Sequence, residues 1–326
     1  MLNCVRPLGP SAQLSVATFD LKTYLSSRRS VIDRALERYC TGYQGQSETV
    51  WRAMRYGLFP GGKRIRPILT LAAGEVFGGK QKNLMAFACA VEMIHAYSLI
   101  HDDLPALDDD DFRRGAPTAH KVFGEGLALL AGDGLLTEAF HAMSAPEVAR
   151  VLPPKLILAL IHELSQAVGA AGLVGGQAFD LEAEDREVDL AMVDYIHVRK
   201  TGALILACVR IGARLSGAKT VDLKRISRYG ECLGLAFQIA DDIMDFEGEA
   251  AGEHAESERK ERKKATYPTV IGVVQAKDQL RELIRQAAQQ VIPFGARAEP
   301  LRAIAQYVEM QALQERGKSI MQEMHP

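Results

Sequence analysis

An acidic run directly after an apolar segment is the strongest constraint on how this chain folds. Six aspartates lie between Asp102 and Asp111, and the segment that leads into them, LMAFACAVEMIHAYSLI, has the composition of a core helix. Like charges at the end of such a helix repel one another and are costly to desolvate. Carboxylates suit Mg²⁺, which is commonly shared with substrate phosphates. A lone acidic run is usually a solvated loop, so a metal site requires a second carboxylate cluster and phosphate-binding cations.

Helical periodicity recurs in almost every long segment, and the sequence contains no convincing strand alternation. The predicted helices span residues 19–40, 47–58, 84–103, 126–143, 155–171, 190–215, 222–246, 268–291 and 300–317. We interpret the glycine-rich GLVGGQAFDL (172–181) as a bend and the highly charged stretch 247–268 as a mobile loop. The pattern predicts an all-α fold, a single large bundle of roughly ten or more helices around a central cavity.

Composition narrows the class of protein. The formal net charge of −2 indicates no general attraction to nucleic acid or to an anionic membrane. The cysteines are scattered without CxxC spacing, which favours buried free thiols in a reducing cytosol; they are Cys4, Cys40, Cys89, Cys208 and Cys232. Residues 1–18 are predicted to be a loose leader and 19–326 one domain. No apolar run approaches the ~20 residues that cross a bilayer, so we expect a cytoplasmic protein without stable membrane insertion.

A second acidic cluster lies near the end of a later helix. Asp241 and Asp245 are four residues apart, which puts both on one helix face beside Asp242. Asp102 and Asp108 are six apart, but Pro105 between them breaks the helix and lets the chain fold back. One cluster alone could be an exposed helix end, whereas two at the ends of apolar helices favour a metal site.

Basic residues accompany both clusters. Lys63 and Arg66 lie in the glycine turn FPGGKRIRP at a predicted helix N-terminus, which is a suitable anion site. Arg113 and Arg114 follow the first aspartates and suit phosphate oxygens, although they could merely balance the charge of residues 109–111. The sequence also leaves two alternatives open: Lys200 as a snorkelling side chain, and His95 as a hydrogen-bonded core histidine.

The motifs that carry these residues occur in a fixed order: GGKRIRP (61–67), EMIHAYSLIHDDLPALDDDDFRRG (92–115), GGQAFDL (175–181), KTG (200–202), FQIADDIMD (237–245) and KATYP (264–268). In these motifs the chain resembles the trans (head-to-tail) isoprenyl diphosphate synthases, the polyprenyl synthetase family, and most closely their bacterial farnesyl diphosphate synthase branch. The resemblance implies an isoprenoid synthase-like bundle, a homodimer, and condensation of isopentenyl diphosphate with dimethylallyl or geranyl diphosphate to farnesyl diphosphate.

The resemblance also implies a role for each matched residue. Three Mg²⁺ ions are expected, with Asp102, Asp108 and Asp241 as direct ligands and Asp103, Asp242 and Asp245 in support. The residues expected at the allylic diphosphate or its cation are Arg113, Lys200, Thr201 and Gln238. Those expected at isopentenyl diphosphate are Gly62, Lys63, Arg66, His95 and Arg114.

Product length is expected to depend on Tyr97 and Ser98, which lie about one helical turn before Asp102. An aromatic residue there beside a small one, with Pro105-Ala106 inserted in the motif, resembles enzymes that stop at farnesyl diphosphate. Geranylgeranyl diphosphate is the alternative product, Tyr97 could instead be core filling, and a non-catalytic partner subunit and a terpene cyclase are alternative functions. The family's diphosphate-binding lysine after the second acidic motif has no clear match; Lys260, Lys263 and Lys264 are the candidates.

Overall fold

Helices make up nearly all of the chain that the computed structural model describes, which comprises residues 19–39, 47–59, 61–184, 186, 188–250 and 266–313. This confirms the predicted all-α class. The predicted leader, the segment 251–265 with its three candidate lysines, and Cys4 and Cys40 lie outside the described residues.

In the first half of the chain, the predicted helices 19–40, 47–58, 84–103 and 126–143 lie within three residues of the observed bounds, whereas two short helices, Ala119–Phe123 and Pro146–Ala149, were not predicted. The helices there are α1 (Leu21–Tyr39), α2 (Glu48–Leu58), α3 (Ile65–Val76), α4 (Gln81–Asp102), α5 (Ala119–Phe123), α6 (Glu125–Ser144) and α7 (Pro146–Ala149). Those of the second half are α8 (Pro154–Val168), α9 (Leu173–Ala183), α10 (Leu190–His197), α11 (Ala203–Leu215), α12 (Thr220–Ala250), α13 (Tyr267–Ile271), α14 (Val273–Val291) and α15 (Glu299–Leu313). A 3₁₀ segment, Ile292–Ala298, joins the last two.

The core lies around α3 and α4, which are buried on nearly all sides. Helix α4 is apolar around its circumference, as a helix enclosed by other helices must be, and it packs against α1, α2, α3, α6 and α11. Helix α11 joins α3 to α12, and α12 in turn packs against α14 and α15. The first acidic run therefore begins at the end of a core helix.

The prediction of one regular helix over residues 190–215 is wrong. Helices α10 and α11 are joined by a π-helical segment, Val198–Gly202, which carries Lys200 and Thr201. Single π turns inside α-helices occur frequently at functional sites, because they change the direction of the side chains. The predicted helix 268–291 is likewise divided, into α13 and α14, at Gly272, whose φ of 82° lies in the left-handed region.

The interpretation of GLVGGQAFDL as a bend is also wrong, because Leu173–Ala183 is helix α9. Its glycines serve close packing instead. A Cβ atom on Gly176 would lie 2.3 Å from the backbone nitrogen of Lys200. The absence of a side chain therefore lets α9 approach the π-helical segment closely.

The expectation that no apolar run is long enough to cross a bilayer needs correction. Two described stretches, Gln81–Asp102 and Pro154–Ala183, are long and apolar enough to cross a bilayer, judged by length and composition alone. The first is the core helix α4, and 78% of its apolar window is buried inside the protein. The second consists of α8 and α9 with a turn between them, and only 28% of its window is buried.

A small hairpin follows the first acidic run. Strands β1 (Phe112–Arg113) and β2 (Ala116–Pro117) pair antiparallel, with Phe112 opposite Pro117. The loop residues Arg114 and Gly115 have φ values of 54° and 77°, as a two-residue hairpin turn requires. Pairs this short leave no period-two pattern in a sequence, so the hairpin was not predicted.

Candidate active site

The first acidic cluster, Asp102–Asp111, is folded back on itself as the position of Pro105 predicts. Helix α4 ends at Asp102, and the backbone N–H of Asp108 donates to the carbonyl of Asp102 at 2.8 Å. The N–H of Asp109 donates to the carbonyl of Leu104 at 3.2 Å. These two bonds close the turn and bring Asp108 back to the end of the helix.

Asp103 is the buried member of this cluster, with 4% of its surface exposed. Burial raises the pKa of its carboxyl to about 6, against the opposing effect of Arg113. The Arg113 Nε donates to Asp103 Oδ1 at 2.5 Å, and its Nη2 donates to Asp110 at 3.2 Å. Arg113 is therefore held at the cluster by a carboxylate just before the proline turn and by one just after it.

The second acidic cluster, Asp241, Asp242 and Asp245, lies on α12. Burial raises the pKa of Asp241 to about 6, and Asp245 adds to the effect while Arg66 and Lys63 oppose it. Asp245 is exposed. The predicted pairing of a partly buried carboxylate with a second one a helical turn away is thus present in the structure.

Asp242 points into the protein. Only 5% of it is exposed, and its Oδ1 accepts from Gln238 Nε2 at 3.2 Å. Its Oδ2 accepts from the backbone N–H of Tyr267 at 3.0 Å, with His197 Nε2 at 3.5 Å. Burial raises the pKa of Asp242 to about 8. Asp103 and Asp242 both have protein partners, in keeping with the supporting role predicted for them, and their part in metal binding stays a prediction.

The donor set fits a hard divalent cation. The site offers carboxylate oxygens, which Mg²⁺ prefers, and the raised pKa values of Asp103 and Asp241 show that these groups carry the cost of burial and of like charge. Within the described residues, no three His, Cys, Asp or Glu side chains form a preassembled cation cage. The carboxylates are therefore arranged as two separate clusters rather than as one.

The glycine turn before α3 gathers the second group of predicted residues. Arg66 Nη1 lies 3.2 Å from His95 Nε2. The guanidinium of Arg114 reaches across from the hairpin, donates to the Gly61 carbonyl, and would lie 2.6 Å from a Cβ atom on Gly62. The structure thus brings the hairpin arginine, the glycine turn and α4 together as predicted.

Two features of this turn prepare it for an anion. The Nε of Arg66 is buried and has no hydrogen-bond partner among the described residues. Burial, together with the charge of Arg66, lowers the pKa of His95 well below its ordinary value, so His95 is neutral beside the guanidinium.

Lys63 Nζ donates to Gln311 Oε1 at 2.9 Å and lies 5.2 Å from the Tyr307 ring centroid. The sequence did not predict these contacts with α15.

The π-helical segment supplies the third group. Lys200 Nζ donates to Asp180 Oδ2 at 2.6 Å, so Lys200 is ion-paired rather than snorkelling. Burial alone would lower the pKa of Lys200, but the charges of Asp180, Asp102 and Asp108 raise it above its usual value. Thr201 Oγ1 donates to Gln238 Oε1 at 2.7 Å. Asp180 was not among the predicted site residues, although it is the one carboxylate in the GGQAFDL motif.

Charges in the acidic clusters and in the two groups of cations shift one another's pKa values. The charges of Asp102 and Asp108 in the first cluster raise the pKa of Lys200. The charges of Arg66 and Lys63 lower the pKa of Asp241 in the second cluster against the effect of burial. Burial lowers the pKa of Arg66, and the charge of Asp241 opposes that effect. These interactions link Lys200 to the first acidic cluster and the glycine turn to the second; that all four groups face one site stays a prediction.

Tyr97 lies one turn below Asp102, and 5% of it is exposed. Its ring meets that of His101 edge-on with centroids 5.6 Å apart, and its hydroxyl is buried without a partner among the described residues. Burial raises the pKa of Tyr97 to about 12. Ser98 Oγ donates to the His95 carbonyl at 3.0 Å. The position suits a wall below the aspartates, and its control of product length stays a prediction.

Comparison with known proteins supports the same assignment. Residues 47–294 match the family model described as polyprenyl synthetase. The farnesyl diphosphate synthase of Geobacillus stearothermophilus is 44% identical over 271 residues, which cover 82% of this chain and 89% of that protein. The chloroplastic geranylgeranyl pyrophosphate synthase of Capsicum annuum is 40% identical over 331 residues, covering 94% of this chain and 87% of the relative.

A solved structure agrees with the fold. The crystal structure of a geranyltransferase from Legionella pneumophila aligns with a TM-score of 0.81 and 31% identity. The alignment covers 90% of this chain and 97% of that one. From its motifs, its site and these similarities, the chain belongs to the polyprenyl synthetase family of trans-isoprenyl diphosphate synthases.

Proposed function

We propose that this protein is a prenyltransferase that condenses isopentenyl diphosphate with dimethylallyl or geranyl diphosphate and makes farnesyl diphosphate. The observation that carries the proposal is that each acidic cluster has its own cations: Arg113 binds Asp103 of the first cluster, and the charges of Arg66 and Lys63 act on Asp241 of the second. Lys200 donates to Asp180 on α9, and the charges of Asp102 and Asp108 in the first cluster act on it. At the glycine turn, Arg66 lies beside His95, and Arg114 donates to the Gly61 carbonyl. Two diphosphates, one metal-bound and one bound by cations alone, account for this division.

The residues for the metal are Asp102, Asp108 and Asp241, with Asp103, Asp242 and Asp245 in support, and three Mg²⁺ ions are expected. Bound there, Mg²⁺ would neutralise the allylic diphosphate and so favour ionisation of its carbon–oxygen bond. Lys200 and Arg113 hold the leaving diphosphate by charge-assisted hydrogen bonds. Thr201 and Gln238 turn oxygen dipoles toward the allylic cation.

Lys63, Arg66 and Arg114 hold isopentenyl diphosphate so that its double bond lies close to the cation, and this positioning supplies much of the rate. Neutral His95 is a suitable partner for Arg66, because it adds no further positive charge. The final proton passes to the released diphosphate, so the reaction requires no separate protein base. The site must exclude water, which would otherwise quench the cation.

The test is chromatography of the products formed from dimethylallyl and isopentenyl diphosphates with Mg²⁺. Farnesyl diphosphate as the main product supports the proposal. Geranylgeranyl diphosphate would favour the alternative that the Capsicum annuum relative represents. No product under varied conditions would leave a non-catalytic partner subunit, and product formed without isopentenyl diphosphate would indicate a cyclase.

Tyr97 is proposed to limit the length of the product. Tyr97→Ala should lengthen it, because an aromatic ring is removed one helical turn below Asp102. Tyr97→Phe is the matched control and should leave it unchanged, since the hydroxyl has no partner in the described part of the chain. Equal product spectra for both variants would place the limiting wall elsewhere.

A homodimer is proposed from the exposed apolar side chains of α6 and α8. Leu129 and Leu130 on α6 are about half exposed, and Leu158 on α8 is 69% exposed. Covering such side chains is favourable in proportion to the apolar area removed from water. Light scattering after size exclusion tests the proposal, and a monomeric mass contradicts it.

A cytosolic location is likewise proposed, and the free buried thiols of Cys89, Cys208 and Cys232 support it.

A further inference from the structure

Arg64 occupies the middle of the glycine turn, between Lys63 and Arg66, yet its side chain runs the opposite way. Only 4% of Arg64 is exposed. Its Nε donates to Asp33 at 2.9 Å, its Nη1 donates to Glu92 at 2.6 Å, and its Nη2 donates to the Leu58 carbonyl at 2.7 Å. All three nitrogens therefore have protein acceptors, and the guanidinium is committed to the interior of the protein.

Those acceptors belong to three different helices. Asp33 lies on α1, Leu58 ends α2, and Glu92 lies on α4, while Arg64 itself is the residue before the first turn of α3. A planar guanidinium holds several acceptors in a fixed geometry, which a lysine cannot do. One side chain thus fixes the start of α3 relative to α1, α2 and α4.

The backbone at Arg64 depends on these bonds. Its φ is 51°, in the left-handed region that a residue with a Cβ atom adopts at a cost. Gly61 and Gly62 on the same turn also have positive φ values, where glycine is at ease. A strained conformation persists when its surroundings determine it. The buried contacts of Arg64 are those surroundings.

The contact with Glu92 runs beside a contact of the active site. Glu92 and His95 are three residues apart on α4, and Arg64 and Arg66 are two apart at the start of α3. Arg64–Glu92 and Arg66–His95 are therefore adjacent cross-links between the same two helices, at 2.6 and 3.2 Å. Only the second involves predicted substrate-binding groups.

We propose that Arg64 is a positioning residue for the isopentenyl diphosphate subsite. It does not touch the substrate; it holds the turn so that Lys63 and Arg66 face the diphosphate, and it occupies Glu92 so that this buried carboxylate does not capture Arg66. The proposal rests on the function proposed above and names a further residue on which specificity for one of the two substrates depends.

The test compares Arg64→Met, Arg64→Lys and the double variant Arg64→Met/Glu92→Gln. Arg64→Met alone leaves a buried carboxylate unpaired and should lower the midpoint of thermal unfolding strongly. The double variant removes that charge and should recover much of the loss. Arg210→Met is the control, because Arg210 also makes an interhelical contact, half-buried, with Glu163 and Ser227 away from the predicted substrate-binding residues.

In the folded double variant we expect KM for isopentenyl diphosphate to rise about ten- to a hundredfold, the range that a small misplacement of binding groups produces. KM for geranyl diphosphate should change by less than about twofold, since the allylic subsite is untouched. Arg64→Lys should give an intermediate KM. Arg210→Met should lower the unfolding midpoint without changing either KM. An unchanged KM for isopentenyl diphosphate, or equal changes for both substrates, overturns the proposal.

Calorimetric titration with isopentenyl diphosphate separates this proposal from the proposed function. If the natural sequence binds isopentenyl diphosphate but forms no product, the proposed function is wrong, and weaker binding by the double variant still supports the role of Arg64. Equal dissociation constants overturn that role. A natural sequence that does not bind isopentenyl diphosphate overturns both.

Discussion

The two acidic clusters solve the same electrostatic problem in different ways. In each Asp-Asp pair the second residue, Asp103 or Asp242, is almost completely buried. Asp103 is compensated by the guanidinium of Arg113. Asp242 has the amide of Gln238 and the backbone N–H of Tyr267, with His197 nearby. Burial raises the pKa of both, to about 6 for Asp103 and about 8 for Asp242.

The difference shows what a charged partner contributes to a buried carboxylate. Burial is the main cause of both raised pKa values; the charge-assisted bonds of Arg113 oppose it at Asp103, whereas at Asp242 the neutral amide of Gln238 opposes it and three neighbouring carboxylates add to it. The backbones also differ. The first cluster lies in a turn closed by hydrogen bonds after α4, and the second lies within the long helix α12. One side of the site is thus fixed by ion pairs and a turn, and the other by a helix and neutral donors.

The largest expected effect is at the first residue of each pair. Asp102→Asn and Asp241→Asn should each lower kcat about a thousandfold, because each removes a proposed metal ligand whose charge stabilises the transition state by several kcal/mol. Steady-state kinetics with saturating Mg²⁺ measures the loss. Asp111→Asn is the control, since Asp111 is exposed and paired with Lys121. A loss of less than about tenfold in either variant would remove that aspartate from the proposed metal site.

The second expected effect concerns whether the clusters act together. Mg²⁺ with inorganic diphosphate should stabilise the natural sequence by about 2–3 kcal/mol at a hundredfold excess over the dissociation constant. Asp102→Asn and Asp241→Asn should each lose most of this stabilisation, because the complex is expected to bridge both sides of the site. Thermal unfolding with and without the ligands measures it. Full stabilisation in one variant would show that its cluster does not take part.

Much of this site could be predicted from sequence because charge and periodicity record it directly. The turn at Pro105 and the spacing of Asp241 and Asp245 follow from local rules, whereas the resemblance to the synthases was needed to group Arg66 with His95. The direction of a side chain within a turn does not. Lys63 and Arg64 are adjacent cations in the same motif, and only the partners supplied by α1, α2 and α4 decide that Arg64 points inward.

Two other features could not be predicted for a related reason. The hydrogen bonds of a π-helical segment span one residue more than those of an α-helix, a change too small to interrupt the apolar pattern over residues 190–215. Glycines in a helix resemble a bend in sequence unless the neighbour that requires them is known. For Gly176 that neighbour is the backbone of Lys200, distant in sequence. Both features become visible only when the helices are packed together.

A smaller effect is expected when Asp103 or Asp242 is replaced by asparagine. Burial raises the pKa of both carboxyls, to about 6 and about 8, so the free energy of unfolding should fall as pH rises from about 4, where unfolded carboxyls ionise, to the folded pKa. Asp103→Asn should remove the fall up to about pH 6, and Asp242→Asn should remove a fall that continues to about pH 8. Urea denaturation across this pH range without Mg²⁺ measures both. A fall that continues to about pH 8 for Asp103 as well would mean that Arg113 does not compensate its charge.

The smallest expected effect tests how the neutral side of the site is held. Thr201 donates to Gln238, which in turn donates to Asp242, so this chain of bonds links the π-helical segment to the second cluster. Thr201→Val keeps the shape, leaves the Gln238 oxygen without its donor, and should cost about 1 kcal/mol of stability. It should also lower kcat, because the oxygen dipole near the allylic cation is lost. Thr201→Ser retains the hydroxyl and should retain kcat. If Thr201→Val keeps the natural kcat and stability, the second cluster is held in place by α12 alone.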